Sequence, residues 1–155
     1  MKKVLSTTVL LLVLSLSVNG QKLWKNEVDE FTGNVKKFTN YYNAAKTDVG
    51  LIKASVARVD DFIALKLKST SDIGCSGASG NYVIFKFTDG TSYRMDNDRA
   101  DIDCSDDSVS MYIIKKDNPL NHKTVSKIRL RMSEYYTDGP VYGTYSINQL
   151  LNAVK

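Results

Sequence analysis

The chain is short of the residues on which most site chemistry depends. Among its 155 residues there is one histidine, His122. A histidine-built zinc site is therefore excluded, and no nucleophile or orienting group can be named to make His122 a general base. It reads as a surface residue in the loop after Pro119. The only glutamates are Glu27, Glu30 and Glu134. A hydrolase with a carboxylate pair would need partners brought together in space, and nothing in the spacing recommends one. No glycine loop runs into a Lys-Ser/Thr pair, so a phosphate cradle of that kind is absent. The two cysteines, Cys75 and Cys104, form no Cys-x-x-Cys. That pattern speaks against a redox motif or a zinc ribbon. There is no internal repeat, linker or low-complexity stretch.

The first residues, MKKVLSTTVLLLVLSLSVNGQ, have a charged start at Lys2 and Lys3 and an apolar core from Val9 to Leu16. Small Val18 and Gly20 occupy the −3 and −1 positions of a cleavage site. Residues 1–20 read as a secretory leader, with Gln21 the new N-terminus. The apolar core is shorter than the ~20 residues a membrane span needs, so no span is expected after cleavage. Without the leader, 21 basic residues become 19 against 17 acidic ones, a balance of +2. Much of the basicity belongs to targeting, and nucleic acid is not an expected partner. Export places the protein in the periplasm or outside the cell, where cysteines oxidise.

Residues 81–87 (NYVIFKF) and 91–95 alternate on either side of Thr88-Asp89-Gly90. A two-residue turn would put Phe87 opposite Ser92. A three-residue loop ending in a left-handed Gly90 pairs Phe87 with Thr91, Phe85 with Tyr93 and Val83 with Met95. Only the second gathers the large apolar groups on one face. Paired numbers then sum to 178, and Cys75 and Cys104 sum to 179. The cysteines are expected to close a disulfide across the foot of this ribbon, worth about 3.6 kcal/mol in the chain-entropy account.

Elsewhere, residues 21–33 read as a tether whose Leu23 and Trp24 cover an end of the core, and 34–45 as one strand. In 50–59, Ile52, Ala54 and Val56 share a face with Ile63, Leu65 and Leu67 if Asp60-Asp61 turns the chain. Residues 108–116 make a strand that Asp117-Asn118-Pro119 breaks. Residues 124–132 alternate, with Ile128, Leu130 and Met132 inward and Lys127, Arg129 and Arg131 outward. Residues 133–140 read as a turn or short hairpin loop, and 141–145 (VYGTY) as a last strand. Ser146 with Gln149 forms a capping box, Tyr145 and Leu150 a hydrophobic staple, and Ile147, Leu150, Leu151 and Val154 one apolar stripe of a terminal helix. The expected fold is mainly β: an antiparallel sandwich or partly closed barrel of about seven or eight strands with one short C-terminal helix. Residues 34–155 form one domain.

Three surface features carry chemistry. Asp96, Asp98, Asp101 and Asp103 could supply oxygen ligands to calcium, although their spacing is not that of an EF-hand and Arg99 offsets their charge. Lys127, Arg129 and Arg131, with Lys66 and Lys68, could meet an anion; the plainer reading is a solvent face that discourages edge pairing. Tyr41, Tyr42, Tyr135, Tyr136, Tyr142 and Tyr145 could line a binding surface or ring the core. The expectation is an exported, non-catalytic binding module whose partner is a protein or an envelope glycan. A barrel-type carrier of a small apolar ligand is the alternative, and a hydrolase with an unrecognised carboxylate site the second.

Overall fold

A computed structural model of the chain describes residues 24–28, 34–74, 80–97, 109–132 and 135–155. The leader, Leu23, Gly33, Cys75, Cys104, Asp98, Asp101 and Asp103 lie outside the described residues.

Alternation is the organising pattern. The strands are β1 (Trp24–Val28), β2 (Val35–Thr39), β3 (Tyr42–Lys46), β4 (Leu51–Val59), β5 (Phe62–Ser69), β6 (Tyr82–Phe87), β7 (Ser92–Asp96), β8 (Val109–Ile114), β9 (Val125–Met132) and β10 (Tyr135–Pro140). Helix α1 (Ile147–Val154) follows. All pairings are antiparallel. One sheet has six strands in the order β1-β2-β4-β5-β8, with β3 also on β4; the other has four in the order β10-β9-β6-β7. The two pack together as a sandwich, and among the described residues no barrel closes.

The inward residues fill the space between the sheets. Ile52, Ala54, Val56, Leu65, Leu67 and Tyr112 come from the first sheet, and Val83, Phe85, Ile128, Leu130 and Met132 from the second, all fully buried. The Val, Leu, Ile, Phe and Met side chains among them each contribute about 1.5–3 kcal/mol on leaving water. Helix α1 adds Ile147, Leu150, Leu151 and Val154 to the same core. Its capping box is formed: the Ser146 hydroxyl accepts from the Gln149 amide at 3.2 Å, and the Gln149 side chain accepts from the Ser146 amide at 2.9 Å. Tyr145, just before the cap, meets Tyr42 edge-on at 4.8 Å.

Both expected hairpins have the expected register. Val83 lies opposite Met95 and Phe85 opposite Tyr93, and Gly90 closes the loop with a φ of 85°. Val56 lies opposite Leu65 and Ala54 opposite Leu67, with Asp60-Asp61 at the turn. Asp60 takes a φ of 52°, which a short polar side chain tolerates.

Three expectations need correction, and together they raise the number of strands among the described residues to ten. Within the presumed tether, Trp24–Val28 pair with β2 as an edge strand. Residues 34–45 are two strands, both on β4: β2 pairs with its second half and β3 with its first. Where the partner changes, Thr39 bridges the gap. Its hydroxyl accepts from the Val56 amide at 3.0 Å, and its carbonyl accepts from the Ser55 hydroxyl at 2.8 Å. Finally, Tyr135–Pro140 is a strand, and the following residues make only a single bridge, Val141 to Ala45. Gly139-Pro140 resembles a turn signal, but the glycine serves close approach to β3, and proline is tolerated on an edge.

Candidate functional site

Apart from Tyr135, exposed at the start of β10, the core takes one side of the four-stranded sheet, so strand register dictates what the other side displays. Three rows cross that outer face. Tyr136, Arg131, Tyr82 and Asp96 make the first; Asp138, Arg129, Ile84 and Arg94 the second; Pro140, Lys127, Lys86 and Ser92 the third. Within these rows, five cations therefore stand among two carboxylates.

The arrangement is ordered by ion pairs and rings. Asp138 accepts from Lys127 Nζ at 2.9 Å and from Arg129 Nη2 at 2.9 Å, both on the same carboxylate oxygen. Those hydrogen bonds, Lys127 first and Arg129 second, hold the Asp138 carboxyl below the usual carboxylate range. The same contact raises the Arg129 guanidinium. Arg94 donates through Nε and Nη2 to one Asp96 oxygen at 2.9 and 2.6 Å. Arg94 also lies 4.0 Å from the centre of the Tyr82 ring, with Arg131 at 5.6 Å from the same ring. Arg129 is 5.0 Å from the Tyr136 ring. The tyrosines thus hold guanidinium groups against the sheet and limit their freedom.

Between the second and third rows is an open groove of about 400 Å³, lined by Ile84, Lys86, Ser92, Lys127, Arg129 and Asp138. Lys86 and Lys127 stand directly opposite each other across β6 and β9. Like charges in that relation oppose folding, and Asp138 on Lys127 offsets part of the cost. Moreover, β9 is flanked by β10 and β6, so its cations do not guard a free edge. The edge-protection reading of Lys127, Arg129 and Arg131 loses its physical basis here.

The structure separates Lys66 and Lys68 from the bases with which the sequence had grouped them. Lys66 and Lys68 belong to β5 of the opposite sheet, where Lys66 helps line a smaller groove of about 290 Å³ with Glu27, Lys36 and Phe38. Asp96 is engaged with Arg94, and among the described residues no three His, Cys, Asp or Glu side chains gather where a metal ion would sit. His122 is exposed at the end of a 3-10 turn, Pro119–Asn121, that follows β8. The tyrosines divide: Tyr112 is core, Tyr42 and Tyr145 pack on its rim, and Tyr41, Tyr135, Tyr136 and Tyr142 are exposed.

Sequence reasoning missed Lys86, Arg94, Tyr82 and Asp138. The alternation of NYVIFKF already puts Tyr82, Ile84 and Lys86 on one side. Their meeting with Arg129 requires the pairing of β6 with β9, about forty residues apart in the chain, which no local pattern carries. Among the described residues, no helix is long and apolar enough to cross a membrane. Comparisons with protein-family models, with curated proteins and with solved structures found no match to this chain.

Proposed function

We propose that this protein is a non-catalytic binding module that holds an acidic envelope glycan on the outer face of its four-stranded sheet. The observation that carries the reading is the Lys86–Lys127 opposition beside Arg129, on interior strands of the sheet. A like-charge pair there costs stability; Asp138 on Lys127 offsets part of that cost, and an anion laid beside Lys86 offsets the rest. Two further features support a saccharide. The site is an open groove on the outer face of the sheet, a form that suits an extended chain. Tyr82 and Tyr136 add ring surface with polar tips beside the cations. Both grooves described above lie on outer faces of the sandwich, which suits surface recognition. The leader and the stapled ribbon read from the sequence suit a partner outside the cytoplasm.

The test uses the mature protein on immobilised heparin, polygalacturonate and uncharged dextran. Retention on the two acidic glycans, released by salt, is expected, with none on dextran. Lys86→Glu is the informative variant. It replaces a like-charge pair by an ion pair with Lys127, so the fold is kept while the groove loses its positive character. Unaltered retention of this variant on every acidic matrix sinks the reading. Retention by acidic polypeptides but not by glycans transfers the site to a protein partner.

A further inference from the structure

Resting on that reading, we infer that Asp138 is a resident occupant of the groove, a carboxylate of the protein's own seated where an acidic group of the glycan binds. It sets a threshold that favours repeating polyanions over isolated anions.

The geometry behind this is specific. Asp138 places one oxygen 2.9 Å from both Lys127 Nζ and Arg129 Nη2, the two cations of β9 that line the groove. It reaches them from the adjacent strand β10, directly opposite Arg129. Its side chain is only 23% exposed, whereas those of Lys127 and Arg129 are 46% and 45% exposed. The carboxylate is tucked beneath cations that still face solvent. A single anion must compete with this carboxylate for two of the three cationic groups. Lys86, on the other side of the groove, is where an incoming chain gains its first contact without displacing Asp138. A polymer that engages Lys86 holds its next acidic group beside Lys127 at high effective concentration, which an isolated anion does not. Successive outward positions of β9 are about 6.7 Å apart, so a repeating polyanion meets Lys127, Arg129 and Arg131 in turn.

Asp138→Asn tests this in the full mature protein, with heparin, polygalacturonate and inorganic sulfate as probes. The variant is expected to bind both glycans about fivefold more tightly, the scale of an exposed ion pair removed. It should also bind sulfate, which the wild type resists. Asp138→Glu, which restores a carboxylate, should return to wild-type behaviour. Asp96→Asn makes an equal change in charge on the same face but outside the groove, and should tighten binding less than twofold.

Equal tightening by the Asp138 and Asp96 variants overturns the inference, because bulk charge then explains both. Unchanged or weaker binding by Asp138→Asn also overturns it, and makes Asp138 a support for Lys127 and Arg129. If Asp138→Asn fails to fold, Asp138→Ser repeats the charge change with a smaller side chain; failure of both shows a structural group and overturns the inference. Absence of glycan binding by the wild type is a different failure, that of the proposed function itself.

Discussion

Gly139 and Lys46 meet backbone to backbone. A Cβ built on Gly139 would lie 1.8 Å from the Lys46 carbonyl oxygen, and one on Gly143 would lie 2.0 Å from that of Asn43. Between these glycines, Val141 bridges Ala45 and the Tyr142 amide donates to the Ala44 carbonyl at 3.0 Å. Glycine at 139 and 143 is what lets β10 and the chain after it lie along β3 and join one sheet to the other.

Gly139→Ala is therefore expected to destabilise the fold by about 2–3 kcal/mol, the scale of an overpacked interior, because backbone rather than a flexible side chain must move. Equilibrium unfolding in urea measures it. A loss under 0.5 kcal/mol would show that the two strands do not approach as described.

Phe85 is fully buried and lies between Tyr93 and Ile128 in register. Phe85→Ala should cost about 3–5 kcal/mol, since the removed ring leaves a cavity that a sandwich core closes only in part. Tyr135→Ala, at a side chain 66% exposed, should stay within about 0.5 kcal/mol. The contrast between the two unfolding curves checks which residues are buried.

The ion pairs of Asp138 predict a pH effect with a definite sign. Its folded carboxyl titrates below its ordinary 3.8, so the folded state favours the charged form. The resulting stabilisation is fully present above that ordinary value and is lost as pH falls from there through the folded value. Its partners are nearly half exposed, which limits it to less than about 1 kcal/mol. The melting temperature of the wild type should exceed that of Asp138→Asn at pH 7, with the gap closing below pH 3.8. A constant gap across the acid range contradicts the assignment.

The link proposed between Cys75 and Cys104 is checked by mass and by melting. The protein purified without reductant should be lighter than its reduced form by two hydrogens, and reduction should cost up to about 3.6 kcal/mol. The register on which the proposal was built is the observed one: Val83 with Met95 and Phe85 with Tyr93 sum to 178. Two titratable thiols in the native, air-exposed protein would refute it.

The fold was legible wherever a strand had a neighbour close in sequence. The 52–67 and 83–95 hairpins, the outward bases of 124–132 and the capped terminal helix all follow from period and turn chemistry. Legibility failed where the partner was remote. Residues 34–45 look continuous because their composition does not change at Asn40-Tyr41; the break arises from two partners on one strand. Gly139-Pro140 looks like punctuation because the close passage of β3 has no local signature. The candidate site shows both behaviours. Lys127, Arg129 and Arg131 were visible as a stripe, but Asp138, Lys86 and Tyr82 join them only through strand order.

The hydroxyl of Thr39 has a consequence for how the chain tolerates insertions. Because that side chain receives the Val56 amide at the point where β4 exchanges one partner for another, continuity of the ladder does not run through Asn40 and Tyr41. Both of those residues are exposed. Extra residues spliced between them would lengthen a surface crossover and leave the pairings on either side in place, whereas one residue added within β4 would turn half of its inward set toward water.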